Sequence, residues 1–320
     1  MKSLRRGVLL KKYTTFRIGG PARYFCSIQN EEELVRAVDW AKDKGLPFFV
    51  LGGGSNLLVS DRGYNGLVIK IEESVQKRKG IALIQANCLS VWAGEKLSVV
   101  AEFAAEKGLT GLEWATGLPG TLGGAIKGNA SAFGKSISDV LKEVRFIDVS
   151  DGVKPAVKCL AAGKCGFSCK KSLFTDNQNL IIVSALIVLK KGGKKDIKKI
   201  MSANLAYRKR NHPAEPSAGC IFRNQDFSKE KGKFKELVKK LPQAKKFNPS
   251  AVPASFLIDK AGLKGKRAGG AQISRKHANF IINTGNATAE DVLFLIKQVK
   301  KTVKEKFGII LTEEIRYLGF

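Results

Sequence analysis

Pro47-Phe48-Phe49-Val50-Leu51-Gly52-Gly53-Gly54-Ser55-Asn56-Leu57-Leu58-Val59 is the stretch on which the reading of this chain turns. The apolar run 48–51 predicts a buried strand. It stops at three consecutive glycines, then Ser55 and Asn56, before a second apolar run begins. Glycine permits positive φ and close approach to the peptide plane. Successive N–H groups in such a turn form a concavity that holds anions. The loop therefore reads as a candidate phosphate cradle. It lacks the Lys-Ser/Thr ending of a P-loop and the spacing of a dinucleotide fingerprint, and a strand follows it instead of a helix. On this stretch alone, a plain tight turn is the competing reading.

A second stretch bears on that choice. Thr116-Gly-Leu-Pro-Gly-Thr-Leu-Gly-Gly-Ala-Ile-Lys-Gly-Asn-Ala-Ser-Ala-Phe-Gly134 has seven glycines and prolines in nineteen residues, which excludes a regular helix or central strand along its length. It is too apolar and varied for a flexible linker. A long ordered loop of this kind usually holds something. Two such loops predict a large ligand carrying a diphosphate.

Outward from the first loop, residues 22–28 predict a strand. Asn30 with Glu33 then predicts a capped helix whose buried face is Leu34, Val38 and Ala41, stopped by Gly45. With the strand at Phe48 this is a βαβ unit. Strands are predicted at 66–71, 81–86, 144–149 and 180–189, a helix at 97–107, and a turn-and-edge segment at 165–174. A basic helix over 195–210 carries Ile197, Ile200, Met201 and Leu205. Thr288 and Asp291 cap a last helix with the face Val292, Leu295, Val299, Val303 and Phe307, and a closing strand over 309–318 contains Glu313 and Glu314.

A chain of 320 residues predicts two or three domains. No apolar run reaches the length of a membrane span, and the apolar part of the N-terminal segment is too short for a secretory leader; a cytoplasmic protein is expected. The net charge of +28 suits anionic partners. The basic residues are spread along the chain, and the densest run, 190–199, has no interleaved aromatics, so no specific nucleic-acid site is predicted. Six cysteines are expected to be reduced thiols. The spacing of Cys159, Cys165 and Cys169 matches no common zinc pattern, and no metal site is predicted.

Five segments in order then carry a resemblance: Thr15-Phe-Arg-Ile-Gly-Gly-Pro-Ala22, the Gly-Gly-Gly-Ser-Asn loop, Gly-Leu-Pro-Gly-Thr-Leu-Gly-Gly, Ser217-Ala-Gly-Cys-Ile-Phe-Arg-Asn224, and Leu311-Thr-Glu-Glu-Ile-Arg-Tyr-Leu-Gly319. From about residue 13 to the end the chain resembles the UDP-N-acetylenolpyruvoylglucosamine reductases, the MurB family, in the shorter type II form. The resemblance implies an α+β chain with an FAD-binding fold of the vanillyl-alcohol-oxidase (PCMH) type and a C-terminal α/β substrate-binding lobe. The implied lobes are 1–72, 73–203 with 301–320, and 204–300. It implies FAD, NADPH as hydride donor, a UDP-sugar enolpyruvyl ether as substrate and UDP-N-acetylmuramate as product. Noncovalent FAD is expected because no His or Cys lies in the glycine loops, and a monomer without membrane attachment is expected.

By the same resemblance, Gly52, Gly53, Gly54, Ser55, Asn56, Gly117, Pro119, Gly120, Thr121, Gly123, Gly124 and Asn129 bind the cofactor. Lys170 and Glu314 stabilise charge and Cys220 donates a proton. Arg208, Asn224 and His277 contact substrate. Hydride delivered to the terminal carbon of an enol ether conjugated to a carboxylate builds negative charge that such groups oppose. The chain departs from the family pattern at Cys169-Lys170, where Tyr-Arg is usual, at Cys220, where serine is usual, at Ser131 within Asn129-Ala-Ser-Ala132, and at Gln225 after Asn224. Two other readings are kept: an FAD-dependent oxidase of the same fold acting on another substrate, and a non-enzymatic protein that binds anions or nucleic acid.

Overall fold

The computed structural model describes residues 4–74, 80–152 and 155–320. The first three residues of the segment weighed above as a leader lie outside this range. The chain forms two compact units.

The first unit gathers the segment up to Val8, Ala22–Gly53 and Tyr64–Arg210. One of its sheets has the strand order Arg5–Leu9, Pro21–Ile28, Tyr64–Ile71, Phe48–Leu51. Pro21–Ile28 and Phe48–Leu51 both run parallel to Tyr64–Ile71, which lies between them. Parallel neighbours need a crossover, supplied here by the helix Glu31–Asp43. The Asn30 side chain accepts a bond from the Glu33 N–H at 2.9 Å, and the Glu33 carboxylate accepts from the Gln29 N–H at 2.8 Å. Both serve N–H groups that the helix start leaves unsatisfied. The helix buries Leu34, Ala37, Val38 and Ala41 against Cys26, Ile28, Leu67 and Ile69.

The second sheet of this unit is antiparallel, in the order Val157–Ala161, Leu141–Asp148, Leu180–Val188, Cys88–Trp92, Ile81–Gln85. The helix Leu97–Glu106 buries Leu97, Val100, Ala101 and Ala104 in the core of that sheet. In Lys194–Asn211 only Ile197 and Met201 are buried; Ile200 and Leu205 are exposed.

The second unit consists of Leu9–Pro21, Gly54–Gly63 and Asn211–Phe320. Its antiparallel sheet runs Ser217–Cys220, Phe280–Asn283, Ala271–Ile273, Arg267–Ala268. The helix Ala289–Phe307 opens with a reciprocal cap between Thr288 and Asp291 and ends at Gly308, whose φ is +74°. It buries Val292, Leu295, Ile296, Val299 and Val303 in a core that also takes in Phe16, Ile18 and Leu58. Leu57–Val59 pairs in parallel with Arg316–Leu318.

These divisions differ from the expected lobes. The 72/73 boundary falls inside the first unit, and 301–320 lies with the second. Segments 9–21 and 54–63 leave their neighbours in sequence because Phe16, Ile18 and Leu58 bury their apolar surface in the C-terminal core. The expected strand 309–318 is regular only over Arg316–Leu318, with an isolated bridge from Glu313 to Phe222 before it.

Candidate active site

In the first unit the two glycine-rich loops touch. A Cβ added at Gly53 would lie 2.6 Å from the Gly120 Cα, and one at Gly52 would lie 2.7 Å from the Thr121 Oγ1. No residue larger than glycine fits that approach. The second loop is not wholly irregular: Thr121 caps a six-residue helix, Leu122–Lys127, by accepting from the Gly124 N–H. Gly123 donates to the Ala93 carbonyl at 2.9 Å, and a Cβ there would sit 3.0 Å from the Ala93 side chain. Gly117, at φ +70°, faces Leu205. Arg208 supports the loop from behind, donating from Nε to Thr116 O at 3.1 Å and from Nη2 to Trp114 O at 2.9 Å. Burial pushes its pKa below the ordinary arginine value.

Three buried polar atoms along this loop have no hydrogen-bond partner among the described residues: Trp114 Nε1, Thr116 Oγ1 and Asn129 Oδ1. Buried polar groups are almost always satisfied, so these atoms, beside a glycine-lined approach, fit a polar ligand that lies on the loop. A flavin dinucleotide, with ring edges, hydroxyls and a diphosphate, has the acceptors and donors to meet them.

Asn129 closes the second loop with φ +40° and is 9% exposed. Its Nδ2 donates to the Ser168 carbonyl at 3.0 Å. Ser168 and Lys171 exchange backbone bonds of 3.0 and 3.3 Å, which leaves Cys169 and Lys170 at the tip of a tight turn. Lys170 takes φ +58°, a conformation that costs a side-chain-bearing residue on the order of 1 kcal/mol or more. Ser172 and Thr175 both donate to the Lys127 carbonyl, Ser172 at 2.8 Å. The 168–175 segment is thus fastened to the end of the cofactor loop.

In the second unit, Cys220 ends the strand Ser217–Cys220, pairs with Phe280 across a register shift and follows Gly219 at φ +78°. Thr15 holds the start of this strand: its Oγ1 donates to Ser217 O at 2.7 Å and its carbonyl accepts from the Ser217 N–H at 3.1 Å. The Glu314 N–H donates to the Ile221 carbonyl at 2.7 Å, and the Arg223 N–H donates to Thr312 O at 2.9 Å. Cys220 and Glu314 therefore stand on adjoining segments. Cys220 is half-buried. Gly54 passes close to Tyr13, where a Cβ would fall 2.1 Å from the carbonyl oxygen. Asn56 donates from Nδ2 to the Glu314 carbonyl at 3.1 Å and accepts at its own carbonyl from the Arg316 N–H at 3.0 Å.

Residues 22–154 match the FAD binding domain model, and residues 211–318 match the model of the UDP-N-acetylenolpyruvoylglucosamine reductase C-terminal domain. The chain is 37% identical over 311 residues to the UDP-N-acetylenolpyruvoylglucosamine reductase of Caldanaerobacter subterraneus subsp. tengcongensis, covering 97% of this chain and 92% of the relative. It is 38% identical to the Caldicellulosiruptor bescii enzyme of the same name, covering 97% and 89%. The chain belongs to the UDP-N-acetylenolpyruvoylglucosamine reductase family. The crystal structure of the reductase (MurB) from Thermus caldophilus superposes with a TM-score of 0.75 at 33% identity, over 98% of this chain and 99% of that one. The α+β fold is accordingly the FAD-binding one expected, and the protein is an FAD-containing oxidoreductase.

Within this reductase family member, the remaining candidates separate. Arg208, expected at the substrate, has two donors committed to the carbonyls behind the cofactor loop. The exposed Asn224 accepts from the Ala254 N–H at 3.3 Å. His277 packs on His212 and Phe280, with ring centroids 5.5 and 4.8 Å away, and its buried Nδ1 has no hydrogen-bond partner among the described residues. Burial, helped by the neighbouring His212, pulls its pKa down to about 4. Glu313 differs from its neighbour Glu314: it bonds Lys300 at 2.8 Å and Tyr317, at a surface cavity of roughly 570 Å³ walled by Lys297, Lys301 and Lys304. Burial opposes ionisation of Glu313, but those two bonds outweigh it and leave its pKa below the ordinary value. Sequence reading missed Trp114 and Thr116, although an indole and a hydroxyl at the entrance to a glycine loop are a readable sign of ligand contact. Among the described residues, no cluster of three or more His, Cys, Asp or Glu side chains is arranged for a metal, and no helix is long and apolar enough to cross a membrane.

Proposed function

We propose that the protein is a UDP-N-acetylmuramate dehydrogenase that uses NADPH to reduce the enolpyruvyl ether of UDP-N-acetylglucosamine in peptidoglycan synthesis. It would work in the cytoplasm, where both nucleotide substrates are found, as a monomer. Bound FAD supplies hydride transfer, first from NADPH and then to the terminal carbon of the enolpyruvyl group. Gly52 to Asn56 and Gly117, Pro119, Gly120, Thr121, Gly123, Gly124 and Asn129 would hold it.

The protein's own residues manage the charge and the proton. Negative charge develops on the carbon bearing the carboxylate and on the carboxylate itself. The Lys170 ammonium opposes it as a point charge, without the planar fork an arginine would offer. Glu314 can lend the carboxylate a hydrogen bond only in its protonated form. The Cys220 thiol gives its proton to the carbon, leaving a thiolate that solvent reprotonates. A free thiol has a pKa of about 8.5, far more acidic than a serine hydroxyl, so the replacement of serine retains a proton donor. Asn224 and His277 are assigned to substrate contact.

The observation that supports this reading is the bond from the Glu314 N–H to the Ile221 carbonyl, which joins the segment of Glu314 to the segment that carries Cys220. The test is NADPH oxidation by the purified protein that depends on the enolpyruvyl substrate and yields the substrate's mass plus two hydrogens. NADPH consumption that ignores the substrate and produces hydrogen peroxide would favour an oxidase instead.

A further inference from the structure

Each glycine loop ends in an asparagine whose amide is spent on a catalytic segment. In the second unit Asn56 follows the triple glycine; its Nδ2 reaches the Glu314 carbonyl at 3.1 Å while its carbonyl receives the Arg316 N–H at 3.0 Å. One residue thus holds the 314–316 backbone by two bonds. In the first unit Asn129 closes the other loop, and its Nδ2 reaches the Ser168 carbonyl, at the base of the turn that presents Lys170. Two loops with unrelated sequences and different backbone conformations make the same kind of bond to the two segments assigned to charge stabilisation.

We infer that Asn56 and Asn129 are positioning residues, fixing Glu314 and Lys170 respectively relative to the cofactor loops. This rests on the reading given under Proposed function. The competing explanation is local. Asparagine suits loop ends because it tolerates left-handed backbone and forms short-range turns. That explanation covers φ +40° at Asn129, yet both side-chain bonds here are long-range. Asn56 bonds a residue at the far end of the chain, and Asn129 bonds across to the Lys170 turn. The Oδ1 of Asn129, buried and with no hydrogen-bond partner among the described residues, leaves the same side chain one acceptor for the cofactor side. One residue can thus set the distance between bound flavin and the Lys170 turn. Misplacement of a catalytic group by about 1 Å costs on the order of a hundredfold in rate, so a single amide bond of this kind has leverage beyond its own strength.

The test is a pair of double-mutant cycles on the FAD-loaded protein, with flavin reoxidation by the enolpyruvyl substrate as the rate. Asn129→Gly keeps a residue at ease with positive φ and removes the bond; Asn56→Ser shortens the other side chain. Each is expected to slow reoxidation about tenfold more than it slows reduction by NADPH. In the matched backgrounds, Asn129→Gly with Lys170→Ala and Asn56→Ser with Glu314→Gln, the extra loss should fall below about twofold. The crossed pairs should multiply in full.

Hydrogen exchange of the flavin-free protein supplies a readout independent of turnover. Asn56→Ser should loosen peptides covering 312–318 and leave 165–175 unchanged, and Asn129→Gly should do the reverse. If a variant fails to fold, the near-isosteric Asn→Asp change replaces it, because it deletes the donor and keeps the shape. Equal loss in matched and crossed backgrounds, or exchange that rises in both segments alike, would overturn the inference. A wild-type protein whose reduced flavin ignores the substrate would instead sink the proposed function, so the two failures are distinct.

Discussion

Replacing Gly53 by alanine tests whether the two loops hold one ligand. The added Cβ would meet backbone only: Gly120 Cα at 2.6 Å, Gly120 C at 3.1 Å and Thr121 N at 3.2 Å. Real Cβ atoms do not approach backbone to 2.6 Å, so one loop must move by several tenths of an ångström. Overpacking of this kind costs about 1–3 kcal/mol. In the free protein the loops can part and shed much of that strain, whereas a cofactor held by both requires them together. The cost therefore falls on affinity, and about 1.4 kcal/mol per decade converts it to a roughly 5- to 150-fold rise in Kd for FAD. Gly163→Ala is the control, since nothing lies within 4 Å of its Cβ position. Flavin-free protein is titrated with FAD by calorimetry, and its Tm recorded alongside. A Gly53→Ala protein that folds and binds FAD with wild-type affinity would refute joint holding by the two loops.

Lys170→Arg is expected to keep or raise the rate at which substrate reoxidises reduced flavin, and Lys170→Ala to lower it by about a hundredfold or more, in single-turnover stopped flow. Cys220→Ser should retain substantial activity and Cys220→Ala should reoxidise slowly, with wild-type activity falling as pH rises through the range where a thiol ionises; a flat alkaline limb would contradict the thiol's role. His277 gives a stability prediction: its folded pKa of about 4 lies below the unfolded value of about 6.5. The unfolded chain therefore binds the proton first as pH falls, and stability is lost between about pH 6.5 and 4. The full shift corresponds to about 3 kcal/mol, reduced to about 2 for a side chain that water partly reaches. In urea melts His277→Gln should lose less stability than wild type over that window. Acid precipitation should release all the flavin, since no Cys or His lies in either glycine loop; colour retained on the denatured chain would show a covalent link.

What the sequence made legible was local. The glycine density of 52–54 and 117–124 announces backbone exposed to a ligand, and Asn30 with Glu33, or Thr288 with Asp291, announces a helix start whichever fold surrounds it. The contact between Gly53 and Gly120 left no mark at either loop beyond the glycines themselves. The pairing of Leu57–Val59 with Arg316–Leu318 joins opposite ends of the chain and has no short-range signature, which is why 54–63 was read with its neighbours and not with the C-terminal core. The helix Leu122–Lys127 was hidden because two glycines open it; the Thr121 cap and the bond from the Leu122 N–H to Glu95 O compensate. Arg208 was assigned to substrate through the family resemblance; that its guanidinium also donates to the Thr116 and Trp114 carbonyls is something only the folded backbone reveals. Cys220 and Glu314 were found through family motifs, and the pairing of their segments, seen in the bond from the Glu314 N–H to the Ile221 carbonyl, is encoded by no spacing.

The most direct measurement is anaerobic. The protein is reduced with one equivalent of NADPH until the flavin absorbance is bleached, freed of nicotinamide, and mixed with the enolpyruvyl ether of UDP-N-acetylglucosamine in a stopped-flow cell. The account predicts rapid return of the flavin band with one UDP-N-acetylmuramate formed per flavin. A bleached flavin that stays bleached with that substrate, and recovers only when oxygen is admitted, would contradict it.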